Sequence, residues 1–163
     1  MTGRVVVVEL ARLEAAHLAG LIGQFAELLR DSLTENADPA IARLVPAAYD
    51  DETAAREFRR LTESDLLDRR RDDADRMLGS LGEAASLPED PDDPALLEQV
   101  QIRLEPLTAQ AWLRTLAAVR LVLATRLGIE VAEDHDPEDP RFAIYDWLGY
   151  RLDGLVNALD RSD

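Results

Sequence analysis

At 163 residues, with 47% hydrophobic and 31% charged side chains, the chain has the length of one ordered, soluble domain with room for a core. It has no Cys, which excludes disulfides and thiolate metal sites. It also has no Lys, all 18 basic residues being Arg, which excludes Schiff-base and phosphate-loop lysine chemistry. The net charge of −15 argues against nucleic acid as a bulk partner, but 83–98 and 130–140 hold twelve acidic residues and no Arg, leaving −3 elsewhere.

The run Val5 to Val8 is too short for a signal-peptide core or a membrane span, so a cytoplasmic protein without membrane contact is expected. Arg4–Leu10 is β-branched without a turn residue and predicts a strand. Leu18, Leu21, Phe25, Leu28 and Leu29 then fall at helical spacing, predicting a long helix from Arg12 to Leu33. Asp38–Pro39 has the form of a helix start and predicts a short piece ending before Pro46. Asp51–Leu61 and Ser64–Leu81 predict two helices, with Ser64 capping the second and Gly82 ending it. The acidic stretch 83–95, interrupted by Pro88, Pro91 and Pro94, predicts a loop with no means of packing. Gln99–Leu104 alternates apolar with polar and is the expected mate of the first strand. Pro106 opens a helix that runs to Leu127 and stops at Gly128. After the second acidic loop, 130–140, Pro140 opens the last helix, which runs to about Asp160. The expected fold is a mostly α, single-domain helical bundle over 1–163 with a small two-stranded β-ribbon near 4–10 and 99–104.

The segment YDWLGY, Tyr145 to Tyr150, puts rings on two sides of this last helix. At 100° per residue, Tyr145, Leu148, Leu152, Leu155, Val156 and Leu159 form one stripe. Ala143, Trp147, Tyr150 and Gly154 form another, about 150° away. Either the helix is buried on both sides, or Trp147, Tyr150 and Gly154 form a contact surface, in the first instance of a homodimer. Arg120 interrupts the stripe Leu113, Leu116, Leu123 and Leu127, so a buried ion pair with Asp146 or Asp153 is expected.

Residues 56–76 hold seven Arg and seven acids. Two helices there would resemble a helix-turn-helix, with Arg59, Arg69 and Arg76 as candidate nucleic-acid contacts. With no net charge the segment reads instead as a solvated face laced by i,i+4 pairs, so DNA is not the favoured partner. His17 reads as a packed side chain and His135 as part of a solvated loop. No GxSxG, HExxH, GxGxxG or phosphate-loop pattern occurs, so neither an enzyme nor a cofactor or metal site is expected. An enzyme of unrecognised type is the least supported alternative.

Pro46–Tyr49 with REFRRLTESDLLDRR, then WLRTLAAVRLVLATRLGI, then IYDWLGYRLDGLV, together resemble an actinobacterial family. It was long catalogued as a domain of unknown function and is named for AosR-type oxidative-stress transcriptional regulators. The resemblance covers nearly the whole chain. It implies a helical cytoplasmic regulator with a protein partner in the transcription machinery, or acting at promoters. The family's redox sensing relies on a cysteine pair, which this sequence lacks.

Overall fold

The structure, a computed structural model, describes residues 5–32, 52–128 and 138–161, with side chains placed for 5–30, 65–128, 138–140 and 142–160. The short helix expected from Asp38, and His135, lie outside the described residues.

Strand β1 (Val6–Ala11) pairs antiparallel with β2 (Gln99–Leu104), Val6 opposite Leu104 and Leu10 opposite Val100. The alternation read from the sequence sets the faces: Val6, Leu10, Ile102 and Leu104 are buried, while Val7 is 49% exposed. Helix α1 (Arg12–Ser32) follows directly. Glu14 reaches back across its first turn to accept from Ala11 N–H at 3.4 Å, the return contact of a capping box. Ala15, Leu18, Ile22, Phe25 and Leu29 are its buried stripe.

Helix α2 (Glu52–Leu81) is a single uninterrupted helix, not the two helices expected around Ser64. Leu61-Thr62-Glu63-Ser64 contains neither Gly nor Pro, and an interior Ser costs only about 0.5 kcal/mol, too little to break a helix held by its neighbours. Leu67, Ala74, Met77 and Leu81 are buried, and Gly82 ends the helix at φ 39°. The acidic stretch beyond is mostly exposed, as expected of a loop, but its first turn packs. That turn, Gly82–Ala85, lays Ala84 and Ala85 on the core, and Arg12 Nη1 donates to the carbonyls of Glu83 (3.1 Å) and Ser86 (3.5 Å). Backbone carbonyls and an alanine pair do this work, and neither is visible to a count of charges.

Helix α3 (Pro106–Leu127) is the centre of the bundle, against α2 on one side and the last helix on the other. It is long and apolar enough to cross a bilayer, and half of its apolar window is buried within this domain. The most buried stripe is Ala109, Trp112, Leu116 and Val119; Leu113, Leu123 and Leu127 are only half-buried, so the helix is turned from the expected Leu stripe. Trp112 Nε1–H donates to Ser80 Oγ at 2.7 Å, and that hydroxyl donates to the Met77 carbonyl at 2.6 Å, tying α3 to α2. Thr115, 1% exposed, has a hydroxyl without a partner among the described residues. Gly128, at φ 75°, caps α3 in the left-handed region. Helix α4 (Ala143–Arg161) closes the bundle, preceded by a 3-10 turn at Pro140–Phe142. Tyr145, Leu148 and Leu155 are buried, and Val156, expected in the core, is 39% exposed.

Candidate interaction surface on the last helix

The two ring-bearing sides of α4 meet different neighbours. On the α3 side, Arg120 Nε donates to the Tyr145 carbonyl at 3.3 Å and its guanidinium carbon lies 4.1 Å from the centroid of the Tyr145 ring. A Cβ at Gly149 would stand 2.8 Å from Arg120 Nη2, so the absence of a side chain there gives the guanidinium its bed. Arg120 is half-buried and seated on Tyr145, in place of the Asp146 or Asp153 expected from the sequence. A carbonyl and an aromatic face hold the cation without desolvating a carboxylate, which makes this the less costly arrangement. Asp153 is exposed, and Asp146 is half-buried.

On the other side, Glu14 of α1 gathers two groups from α4. Trp147 Nε1–H donates to Glu14 Oε2 at 3.1 Å, and Arg151 Nη2 donates to the same oxygen at 2.5 Å. Partial burial pushes the Glu14 carboxyl upward. The hydrogen bonds from Arg151 and Trp147, the Arg151 charge and the Ala11 N–H outweigh it, so the group is held below its ordinary range. Arg151 Nη1 also donates to the Glu9 carbonyl at 3.4 Å, while its Nε–H is buried without an acceptor among the described residues. Trp147 is therefore half-buried and tied within the subunit, which removes it from the open surface expected of it.

Tyr150 and Gly154 remain open. Tyr150 is 71% exposed, its ring 5.6 Å from the Arg151 guanidinium carbon, and a Cβ at Gly154 would meet nothing within 4 Å. They border a cleft of about 410 Å³ between β1 and α4, with Leu18, Trp112 and Leu116 on its floor. A second groove, about 680 Å³, lies between α1 and the start of α4, lined by His17, Gly20, Leu21, Ile144 and Trp147. His17 is exposed there, not packed as expected, because the helix turns its stripe one position away onto Leu18.

The Arg-rich part of α2 forms a mixed surface. Arg69 pairs with Asp65 at 3.9 Å, Arg71 with Asp68 at 3.6 Å, and Arg114 of α3 grips Asp73 through two bonds of 2.8 and 3.1 Å. Arg76 is exposed, and the Arg59 side chain lies outside the described residues. Among the described residues no group of three or more His, Asp or Glu is gathered to hold a metal. Glu14 and Arg151 were not singled out from the sequence. The available signals were a Glu three residues past the strand–helix junction and an Arg one turn after Trp147.

Fold and surface define a mostly α domain with a small β-ribbon, whose open features are a strand edge, an exposed tyrosine and an apolar cleft. Residues 1–159 match the family model described as "Domain of unknown function (DUF2017)", and the chain belongs to that family. No curated protein and no solved structure matches it.

Proposed function

We propose that this protein is a non-enzymatic regulatory protein that works through contacts with other proteins, as in AosR-type oxidative-stress regulators of transcription. The observation that carries the reading is the open stripe of α4, where Tyr150 is 71% exposed beside an apolar cleft. Tyrosine is a residue that anchors interfaces, and a single large ring in the open at the rim of such a cleft suits a docking anchor. The proposed partner is a component of the transcription machinery. A homodimer is the other form such a contact takes, and with Trp147 tied to Glu14 it would rest on Tyr150 and Gly154. Direct DNA binding through α2 is the weaker reading, since Asp65 and Asp68 pair with its Arg69 and Arg71 and no turn separates two helices there.

Purified RNA polymerase holoenzyme from the native host, immobilised, tests the reading against Tyr150→Ala and Gly154→Leu, with sedimentation of each variant alongside. Binding or self-association that both variants lose supports it; polymerase and self-association both absent, with salt-sensitive binding to promoter duplex, replaces it with the DNA reading. Because the chain has no Cys and Met77 is fully buried, peroxide should leave this binding unchanged over minutes. A rapid change reversed by dithiothreitol would show a redox response that these residues do not account for.

A further inference from the structure

Among the described residues strand β1 has a single strand partner and so one open edge, and the cleft of about 410 Å³ lies against it. The phase of the ladder tells which backbone groups face that edge. Arg12 N–H donates to the Glu98 carbonyl at 2.9 Å, extending the register by one pair. Even-numbered residues of β1 therefore direct N–H and C=O toward β2, and odd-numbered ones direct theirs away. Two contacts agree: Arg151 Nη1 meets the Glu9 carbonyl, and Glu14 Oε1 meets the Ala11 N–H, both at 3.4 Å from the open side. Val7 N–H, Val7 C=O and Glu9 N–H remain, with no hydrogen bond among the described residues. β1 has no Pro, no basic side chain and no break in register to guard its edge.

We infer that this edge docks an extended, basic segment of a partner protein as an added strand, with an apolar side chain on Leu18, Trp112 and Leu116 and a cation beside Glu9 and Asp153. The inference rests on the protein-contact reading above. Charge selects the occupant. Glu9 and Asp153 line the cleft, both exposed and neither in an ion pair among the described residues, while Arg151, its lining cation, is held by Glu14. Shape selects it too. The cleft admits a few side chains, and α4 stands beside the edge, so a second copy bringing its own α4 meets that wall. The cleft lies against Val7 and Glu9 of the edge, and pairing on one edge with pockets for alternate side chains is a common mode of peptide capture.

The test uses the full chain and a fluorescein-labelled seven-residue peptide of alternating arginine and valine. Its controls are the same peptide N-methylated on alternate backbone nitrogens, and a glutamate–valine version. Saturable binding is expected, weakened about tenfold or more by either control and by the double variant Glu9→Gln/Asp153→Asn. Amide exchange at Val7 and Glu9 should slow on binding. Val7→Pro, which removes an N–H that the β1–β2 ladder does not use, should abolish binding while keeping the melting temperature within a few degrees. No binding at about 1 mM peptide, equal binding of the N-methylated peptide, or unchanged exchange at Val7 and Glu9 overturns the inference. A dimer that Val7→Pro dissociates also overturns it, by making a second copy the occupant, yet leaves the protein-contact reading standing. Loss of polymerase binding and self-association together would end that reading instead.

Discussion

Tyr145 is 5% exposed and carries the Arg120 guanidinium on its ring, whereas Tyr150, on the same helix, is 71% exposed with the Arg151 guanidinium carbon 5.6 Å from its ring. The same division runs through the glycines: Gly149 lies under Arg120, and Gly154 faces open space. The first half of YDWLGYRLDG thus holds α4 on α3 and α1, while in the second half Arg151 bonds to Glu14 and Leu152 packs on the core, leaving Tyr150 and Gly154 open. One apolar stripe on a helix wheel can contain both kinds of residue, because the neighbours along a helix change every turn or two.

The largest expected effect separates the two remaining rings of the stripe. Trp147→Ala removes a half-buried indole and the donor to Glu14, and should destabilise the fold by about 3 kcal/mol in urea unfolding followed by circular dichroism. Tyr150→Ala should change stability by less than about 0.5 kcal/mol. Comparable losses at the two positions would break the comparison, by showing that Tyr150 is structural too.

The glycine pair sharpens it. An interior Gly→Ala change in a helix ordinarily adds about 1 kcal/mol, and Gly154→Ala should show that gain. Gly149→Ala should not, because its new Cβ would stand 2.8 Å from Nη2 and 2.9 Å from Cζ of Arg120, forcing the guanidinium off the Tyr145 ring. The guanidinium is the far end of a flexible chain and can swing away, so the loss is limited to its hydrogen bond and ring contact. Adding Arg120→Ala to Gly149→Ala should restore the gain, a coupling of about 1 kcal/mol. Additive effects in that cycle would mean the contact contributes nothing.

Much of the fold is legible from local signals. Pro106 and Gly128 bracket α3, and alternation identifies both strands and pairs them. Ser64 misled because a capping residue also sits inside helices at small cost, and nothing local says which. Of the surface, Tyr150 and Gly154 were legible as a second stripe, since helical geometry alone places them. What covers a stripe is a tertiary fact. That Glu14 would meet Trp147 and Arg151 depends on where α4 lands across more than a hundred residues of chain, as does the seat of Arg120 on a carbonyl, which no pattern of side chains announces. The open edge of β1 needed the phase of the ladder, which one backbone bond at Arg12 supplies.

The smallest expected effect probes the junction between the two halves of α4, where Glu14 holds Trp147 and Arg151. Its carboxyl is lowered in the fold: partial burial works against this, but the bonds from Arg151 and Trp147, the Arg151 charge and the Ala11 N–H prevail. A group with a lower folded than unfolded value binds its proton more weakly when folded. Its stabilisation is then complete above the unfolded value, about 4.3 for Glu, and is lost as pH falls through the lower folded value. Glu14→Gln keeps an acceptor oxygen but not the charge, so wild type should exceed it by about 0.5–1 kcal/mol at neutral pH, as for a partly exposed ion pair. That gap should close as the pH is taken below about 4 in urea melts at fixed ionic strength. Asp153 offers the control. Asp153→Asn, at an exposed carboxylate with no ion pair among the described residues, should change stability at neutral pH by less than about 0.5 kcal/mol. A gap for Glu14→Gln that stays constant through the acid range would mean that the contact at this junction comes from shape alone, and the tied half of α4 would then owe its position to Trp147 packing without help from the charge.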